Sequence, residues 1–186
     1  MNKIIVFILF LTFAFSCKAQ SEDLKLRLKE FESKEAGLKA SLPCEPEKFF
    51  KSFQDRPRPI HVYDFDCETG GIKFVISSKN YMNEFNEKTL AQTFASHENI
   101  LKNFFGEVES FNEKKDFLVS GLKSGYYEVR LQAGGKINEL VAASNVRYYV
   151  ATVGVMPQNV KKLKESKLDY DSVSKKFINS FQVIDK

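Results

Sequence analysis

The stretch that decides the fold is "IHVYDFDCETGGIKFVISSKNY", residues 60–81. Its first half alternates as a half-buried strand does. One strand face carries His61, Tyr63, Phe65 and Cys67, and the other carries three carboxylates. The "TGG" triplet that follows permits a tight turn, and "IKFVISSKNY" predicts a returning strand. The stretch therefore predicts a β-hairpin, and with it an antiparallel sheet.

Two further segments before residue 60 also have strand patterns. Alternating leucines in residues 24–28 and in "LKASLP" flank the turn-like "SKEAG", which predicts a hairpin. The first of these segments also fits a helix, because Leu24, Leu28 and Phe31 fall three or four residues apart. Prolines in "LPCEP" mark the end of the second strand.

"EKFFKSFQ", residues 47–54, predicts the strand that pairs with residues 60–68 across a turn at "DRPRP", residues 55–59. Alternate residues of a strand point to opposite faces, so Phe50 points away from Phe49 and Phe53. We expect the rings to pack in the core, because helices are expected on both faces of the sheet. The alternative is that one of the two sets is exposed as an adhesive surface.

The period changes after residue 81. Apolar residues and one histidine recur at intervals of three and four residues between 86 and 105, namely Leu90, Phe94, His97, Leu101 and Phe104. This spacing predicts an amphipathic helix capped by Gly106. Four strands follow, "EVESFNEKKDFLV", "GYYEVRLQA", "KINELVAAS" and "VRYYVATVGV", and then helices over 161–167 and 170–181, the last burying Val173, Phe177 and Phe181. We find no linker or repeat, so residues 24–186 are predicted to form one domain.

The N-terminus has the layout of a secretory signal. Lys3 precedes a twelve-residue apolar run, residues 4–15, which is too short to span a membrane. Small residues and Cys17 follow, so the segment resembles a bacterial lipoprotein signal, which implies residues 1–16 as signal peptide, a lipid on Cys17 and a tether over 17–23. The alternative is ordinary cleavage after Ala19.

The cysteine count agrees with either processing route. The chain has three cysteines, and lipidation or removal of Cys17 leaves Cys44 and Cys67 as a pair. In an oxidising compartment a disulfide is the expected state of that pair, and two buried free thiols are the alternative. The net charge of +4 is too mild to indicate nucleic acid as a partner.

The order of these elements resembles the PsbP-like fold. The similarity is carried by "AGLKASLPCEPEKFFKSFQ", the hairpin at 60–81, the long helix, "DFLVSGLKSGYYEVRL", "VRYYVATVGV" and "KKFINSF". Bacterial members often have Phe-Pro-Gly-x-Pro where this chain has "LPCEP", with Cys44 in place of glycine. The resemblance implies an α+β fold, a three-layer α/β/α sandwich with a central antiparallel sheet. Members of this fold include the extrinsic PsbP proteins of photosystem II in plants and a eukaryotic Ran-binding nuclear-import factor. Both act by docking to protein partners and not by covalent catalysis, so the resemblance implies a docking role for this protein as well.

The candidate metal site is the carboxylate row Asp64, Asp66 and Glu68. Carboxylates suit a hard cation such as Ca²⁺, but same-face neighbours on a strand lie about 6.6 Å apart, so we expect a solvated strand face. His61 and His97 lack any histidine at metal-ligand spacing and any nucleophile motif, so we expect both to be satisfied in the core or at an edge.

We therefore predict an exported, lipid-anchored, non-catalytic accessory protein without a cofactor, whose partner is another envelope protein. The alternative is a carrier of a lipid or small hydrophobic ligand, held in a cleft between helix 86–105 and the sheet. An enzyme is the third class, with Asp66 or His61 as the residues to test.

Overall fold

A computed structural model describes residues 26–54, 59–81, 87–104 and 108–184. The predicted signal peptide, the tether with Cys17, the turn at 55–58 and the helix cap Gly106 lie outside these ranges. None of the helices within them is long and apolar enough to cross a membrane.

The protein has a sheet-dominated α+β fold with two antiparallel sheets. The elements are β1 Lys29–Ser33, β2 Leu38–Leu42, β3 Glu47–Phe53, β4 Ile60–Thr69, β5 Ile72–Tyr81, α1 Glu87–Phe104, β6 Val108–Val119, β7 Leu122–Leu131, β8 Lys136–Ala143, β9 Arg147–Val155, α2 Val160–Ser166, α3 Tyr170–Ser180 and β10 Gln182–Val183. The large sheet has the order β3-β4-β5-β9-β8-β7-β6, and the small sheet has the order β1-β2-β10. An N-terminal hairpin is confirmed, but its first strand begins at Lys29, after the alternating leucines, and the hairpin lies in the small sheet with β10.

The deciding stretch forms the β4–β5 hairpin. Thr69 pairs with Ile72, which leaves a two-residue turn at Gly70 and Gly71 with φ of 57° and 84°. A Cβ at Gly70 would lie 2.5 Å from Leu168 Cδ1, and one at Gly71 would lie 2.9 Å from the Asn159 carbonyl oxygen. Glycine is required at both positions for two reasons: φ is positive, and the residues just before and just after α2 pack against the turn.

Neighbouring residues of the large sheet belong to different apolar clusters. On β9, Tyr148 packs with Leu101 of α1, whereas Tyr149 packs with Phe177 of α3. We call the first side of the sheet the α1 face and the second the α3 face. The α3 face also carries β2 of the small sheet, which buries its three alternating residues Leu38, Ala40 and Leu42.

The C-terminal helix is the best predicted of the three. It begins at an N-cap, Asp169, whose carboxylate accepts hydrogen bonds from the backbone N–H groups of Asp171 and Ser172. Val173 and Phe177 are buried, and the Phe177 ring meets the Phe74 ring edge-on at 5.2 Å between centroids. This contact holds α3 against the middle of the sheet.

The prediction that the three phenylalanines of β3 pack in the core is wrong. The exposed fractions are 47% for Phe49, 51% for Phe50 and 43% for Phe53. The physical reason is position, because β3 is the outermost strand, whereas the cluster beneath α1 is built on β7, β8 and β9. Helices on both faces of a sheet do not cover its edge.

Candidate functional site

The candidate site is the outer edge of the large sheet at β3. Seven consecutive residues of β3 pair with β4, from Glu47 opposite Asp66 to Phe53 opposite Ile60, without a shift in register. Within the described ranges, β3 has no strand on its other side. Such a strand presents backbone N–H and C=O groups to which another chain can bind.

Side chains of β3 extend this surface onto both faces. By register, Phe49, Lys51 and Phe53 lie on the α1 face with Asp64, Val62 and Ile60. Phe50 lies on the opposite, α3 face beside β4. We call the exposed strand and its three phenylalanines the β3 edge surface.

Phe50 is held in place by aromatic neighbours. Its ring lies 4.9 Å from the ring of Tyr63 and 5.8 Å from that of His61, measured between centroids. Lys48 forms an ion pair with Glu35 at 2.5 Å and places its Nζ 5.8 Å from the centre of the Tyr63 ring. An exposed ring whose position is fixed in this way loses little conformational entropy on contact with a partner.

A disulfide fixes the start of β3. Cys44 is bonded to Cys67, and their Cα atoms are 6.0 Å apart. Glu47 pairs with Asp66, the residue before Cys67, so the pairing of β3 with β4 brings the two cysteines together, and the expected disulfide is present. The bond links the segment before β3 to the end of β4.

The carboxylate row does not form a metal site. Asp64 accepts a hydrogen bond from Ser77 Oγ at 2.5 Å, Asp66 pairs with Lys73 at 2.7 Å, and Glu68 pairs with Lys162 at 2.6 Å. Each carboxylate thus turns to a different partner. No group of three or more His, Cys, Asp or Glu side chains in the described part of the chain could hold a metal ion.

A second polar cluster lies under α1. His97 Nε2 is in hydrogen-bond contact with Glu139 Oε1, and Thr152 Oγ1 donates to Glu139 Oε2 at 2.5 Å. Glu139 is 5% exposed. The sequence pattern indicated His97 as a candidate but not Glu139. The available signal was a carboxylate at an inward position of β8, between Ile137 and Val141 on the same face.

Two tyrosines enclose the His97 ring. The Tyr127 and Tyr148 rings lie 5.9 Å and 5.7 Å from it, and 14% of the His97 side chain is exposed. The Tyr127 hydroxyl is buried and has no hydrogen-bond partner among the residues that the structure describes. Burial, and then the negative charges of Glu98 and Glu139, raise the pKa of Tyr127 to about 12. This arrangement holds α1 against β7 and β9.

A cavity of about 670 Å³ lies on the α3 face, between α3 and strands β6 to β8. Its lining includes apolar residues such as Leu140, Ile178 and Phe181, together with charges of both signs. At the rim, the Tyr126 hydroxyl donates to Glu128 Oε1 at 3.1 Å. Burial, followed by the charge of Glu128, raises the pKa of Tyr126. The cavity is on the face of the sheet opposite to the predicted ligand cleft beside helix 86–105.

No family model matches the chain, and no curated protein matches it. Among solved structures, the chain is similar to the solution structure of cyanobacterial PsbP (CyanoP) from Synechocystis sp. PCC 6803. The TM-score is 0.47 and the identity is 10%, over 85% of this chain and 93% of that one. At this level of similarity, function has to be inferred from the contacts of this chain alone.

Proposed function

We propose that this chain is an exported, non-catalytic accessory protein of the cell envelope that binds another envelope protein through the β3 edge surface. The observation that carries the proposal is the exposure of Phe49, Phe50 and Phe53 on one regular edge strand. Contiguous exposed aromatic residues mark interaction sites, and aromatic residues supply much of the binding energy in interfaces. The strand edge beside them is open to backbone hydrogen bonds with a further chain.

The polar clusters support a non-catalytic role. A general base must reach its substrate, but the His97 ring is enclosed by aromatic rings and paired with Glu139. The carboxylates of β4 are each bound to a separate donor. The alternation of Tyr148 and Tyr149 between the two apolar clusters also supports the three-layer order α1, sheet, α3.

Export and lipid anchoring are part of the proposal. The Cys44–Cys67 disulfide is consistent with an oxidising compartment. We propose that Cys17 becomes the first mature residue and is acylated, which tethers the domain to a membrane. Intact-mass spectrometry of the protein from its envelope tests this, with Cys17→Ser as the control that should lose the lipid mass. An unmodified N-terminus at Gln20 would contradict it.

Site-specific photo-crosslinking in intact cells tests the docking surface. A photo-activatable phenylalanine analogue replaces Phe53, and in a matched control it replaces Leu118, which is 67% exposed on β6 at the other end of the sheet. We expect an adduct with a specific envelope protein from position 53 and not from position 118. The same adducts from both positions, or none from either, would overturn the proposal.

The second candidate is a carrier of a small hydrophobic ligand or a lipid, and the cavity on the α3 face favours it. Its apolar residues, Leu140, Ile178 and Phe181, would receive the alkyl part of such a ligand. Organic extraction of the natively purified protein, followed by mass spectrometry, should then recover a bound lipid. A Leu140→Arg variant with the same thermal stability should lose it.

A further inference from the structure

The sequence of β3 is complementary to itself. Two identical strands that pair antiparallel are related by a two-fold axis normal to the sheet. Residues that lie opposite each other are then on the same face of the sheet. One residue, the central one, lies opposite its own copy, and the numbers of any two opposed residues add to twice its number. When Phe49 is central, Glu47 lies opposite Lys51 of the second copy, and this pairing occurs twice. The same register puts Lys48 opposite the ring of Phe50.

Other registers lack this complementarity. Centring the pair on Lys48 or on Lys51 places two lysines of equal charge directly opposite each other, which is destabilising. Centring it on Phe50 places Glu47 opposite Phe53 and leaves both lysines without a carboxylate partner. Charge therefore selects the register with Phe49 opposite Phe49.

The groups that this register needs are available. Glu47 and Lys51 are both exposed, and no ion pair joins either of them to another residue that the structure describes. Lysines on an edge strand commonly oppose pairing with a second chain. Here Lys51 would be neutralised across the pair, and Lys48 is already paired with Glu35 of its own chain.

We propose that a second copy of this chain binds the β3 edge as an antiparallel strand, with Phe49 opposite Phe49 and Glu47 opposite Lys51. The inference rests on the proposed use of the β3 edge surface and names its first occupant. Backbone groups of β3 join the two sheets, and the α1 face of the joined sheet carries the Phe49 and Phe53 rings of both copies, while the α3 face carries the two Phe50 rings. The dimer would then present a doubled aromatic surface to the envelope partner.

Charge-reversal variants test the register. Two differently tagged copies of the full chain are expressed together in the envelope, and the amount of one copy that co-purifies with the other is measured. We expect wild-type copies to co-purify. When both copies carry Glu47→Lys, lysines lie opposite lysines. When both copies carry Lys51→Glu, carboxylates lie opposite carboxylates. Two unfavourable pairs in each case should weaken co-purification about tenfold. A Glu47→Lys copy mixed with a Lys51→Glu copy restores both opposite-charge pairs, so their co-purification should return to the wild-type level.

The outcomes separate this inference from the docking proposal. Equal co-purification in all four combinations, or no recovery in the mixed pair, would overturn the register. Wild-type copies that stay monomeric at micromolar concentration would overturn the dimer, even if position 53 still cross-links to an envelope protein. Monomeric copies that bind anionic vesicles through Phe49 and Phe53 would assign the surface to lipid instead. Matching thermal stability of the variants excludes misfolding as the cause.

Discussion

β3 and β6 are the two outermost strands of the same sheet, yet only β6 is interrupted. The β6–β7 register shifts between Val108 and Ser110 and again between Lys114 and Phe117. The β3–β4 register runs unbroken over seven pairs. Bulges twist an edge strand, so that its backbone N–H and C=O groups no longer match those of a straight partner strand. The β6 edge is therefore unsuited to pairing, whereas the β3 edge keeps the regular geometry that pairing requires.

The two ends of the sheet are also held differently. At the β3 end, a covalent bond between Cys44 and Cys67 fixes the strand, while its aromatic rings stay exposed. Between the middle of the sheet and the β6 end, partly buried polar contacts between His97, Glu139 and Thr152 fix α1 over strands β8 and β9. A covalent link allows β3 to remain ordered without being covered. The comparison thus explains how an edge can be both rigid and accessible.

The largest expected effect comes from removing the covalent link. Replacing Cys44 and Cys67 together by alanine should lower the free energy of unfolding by about 3 kcal/mol, because the bond closes a loop with a sequence separation of 23 residues. Denaturant unfolding measures the loss. Hydrogen exchange should become faster in β3 while β7 and β8 keep their protection in the native state. Equal changes in β3 and β7 would contradict the idea that the bond serves the β3 end.

Near the middle of the sheet, Glu139→Ala should lower the free energy of unfolding by about 1–3 kcal/mol. The substitution leaves the half-buried His97 and Thr152 without their shared acceptor. Glu139→Gln is the matched control, since it keeps the size and one acceptor oxygen, and it should cost less. If alanine and glutamine have the same effect in urea unfolding, the carboxylate does not anchor α1.

Local pattern was sufficient to predict most of the strands but not the environment of each one. The β4–β5 hairpin followed from alternation and from Gly70 and Gly71, which are local properties of the chain. Strand order is set by distant segments, so the exposure of Phe49, Phe50 and Phe53 could not be read from the β3 sequence. The spacing of phenylalanines along a strand is the same whether the strand lies in the middle of a sheet or at its edge.

The candidate site shows the same limit. Cysteine arithmetic predicted the bond between Cys44 and Cys67, because only two cysteines remain once Cys17 is set aside. His97 was correctly expected to be satisfied, but its partner lies 42 residues away on β8. A contact between residues so distant in sequence leaves no regular spacing by which it can be recognised.

The smallest effect at neutral pH is expected from Tyr127→Phe, beside the His97 cluster. Its hydroxyl is buried, with no hydrogen-bond partner in the described part of the chain, so its removal should leave the free energy of unfolding unchanged or raise it by up to about 1 kcal/mol. Tyr170→Phe is the contrasting variant. The Tyr170 hydroxyl donates to the Val153 carbonyl at 3.0 Å, and its loss should cost about 1 kcal/mol.

Alkaline pH gives the same variant a second readout. The raised pKa of Tyr127, about 12 in the folded protein against 10.0 ordinarily, means that the unfolded chain releases this proton first. The pH-dependent part of the free energy of unfolding that comes from Tyr127 is therefore fully present below pH 10 and is lost as the pH rises from 10 towards 12. Tyr127→Phe removes that contribution, so the fall in unfolding free energy between pH 9 and pH 11 should be shallower than in the wild type. Burial also raises the pKa values of Tyr126 and Tyr170, so part of the fall remains. Identical alkaline slopes for Tyr127→Phe and wild type would mean that the hydroxyl is solvated, and that the β6 end of the sheet is more open than its packing indicates.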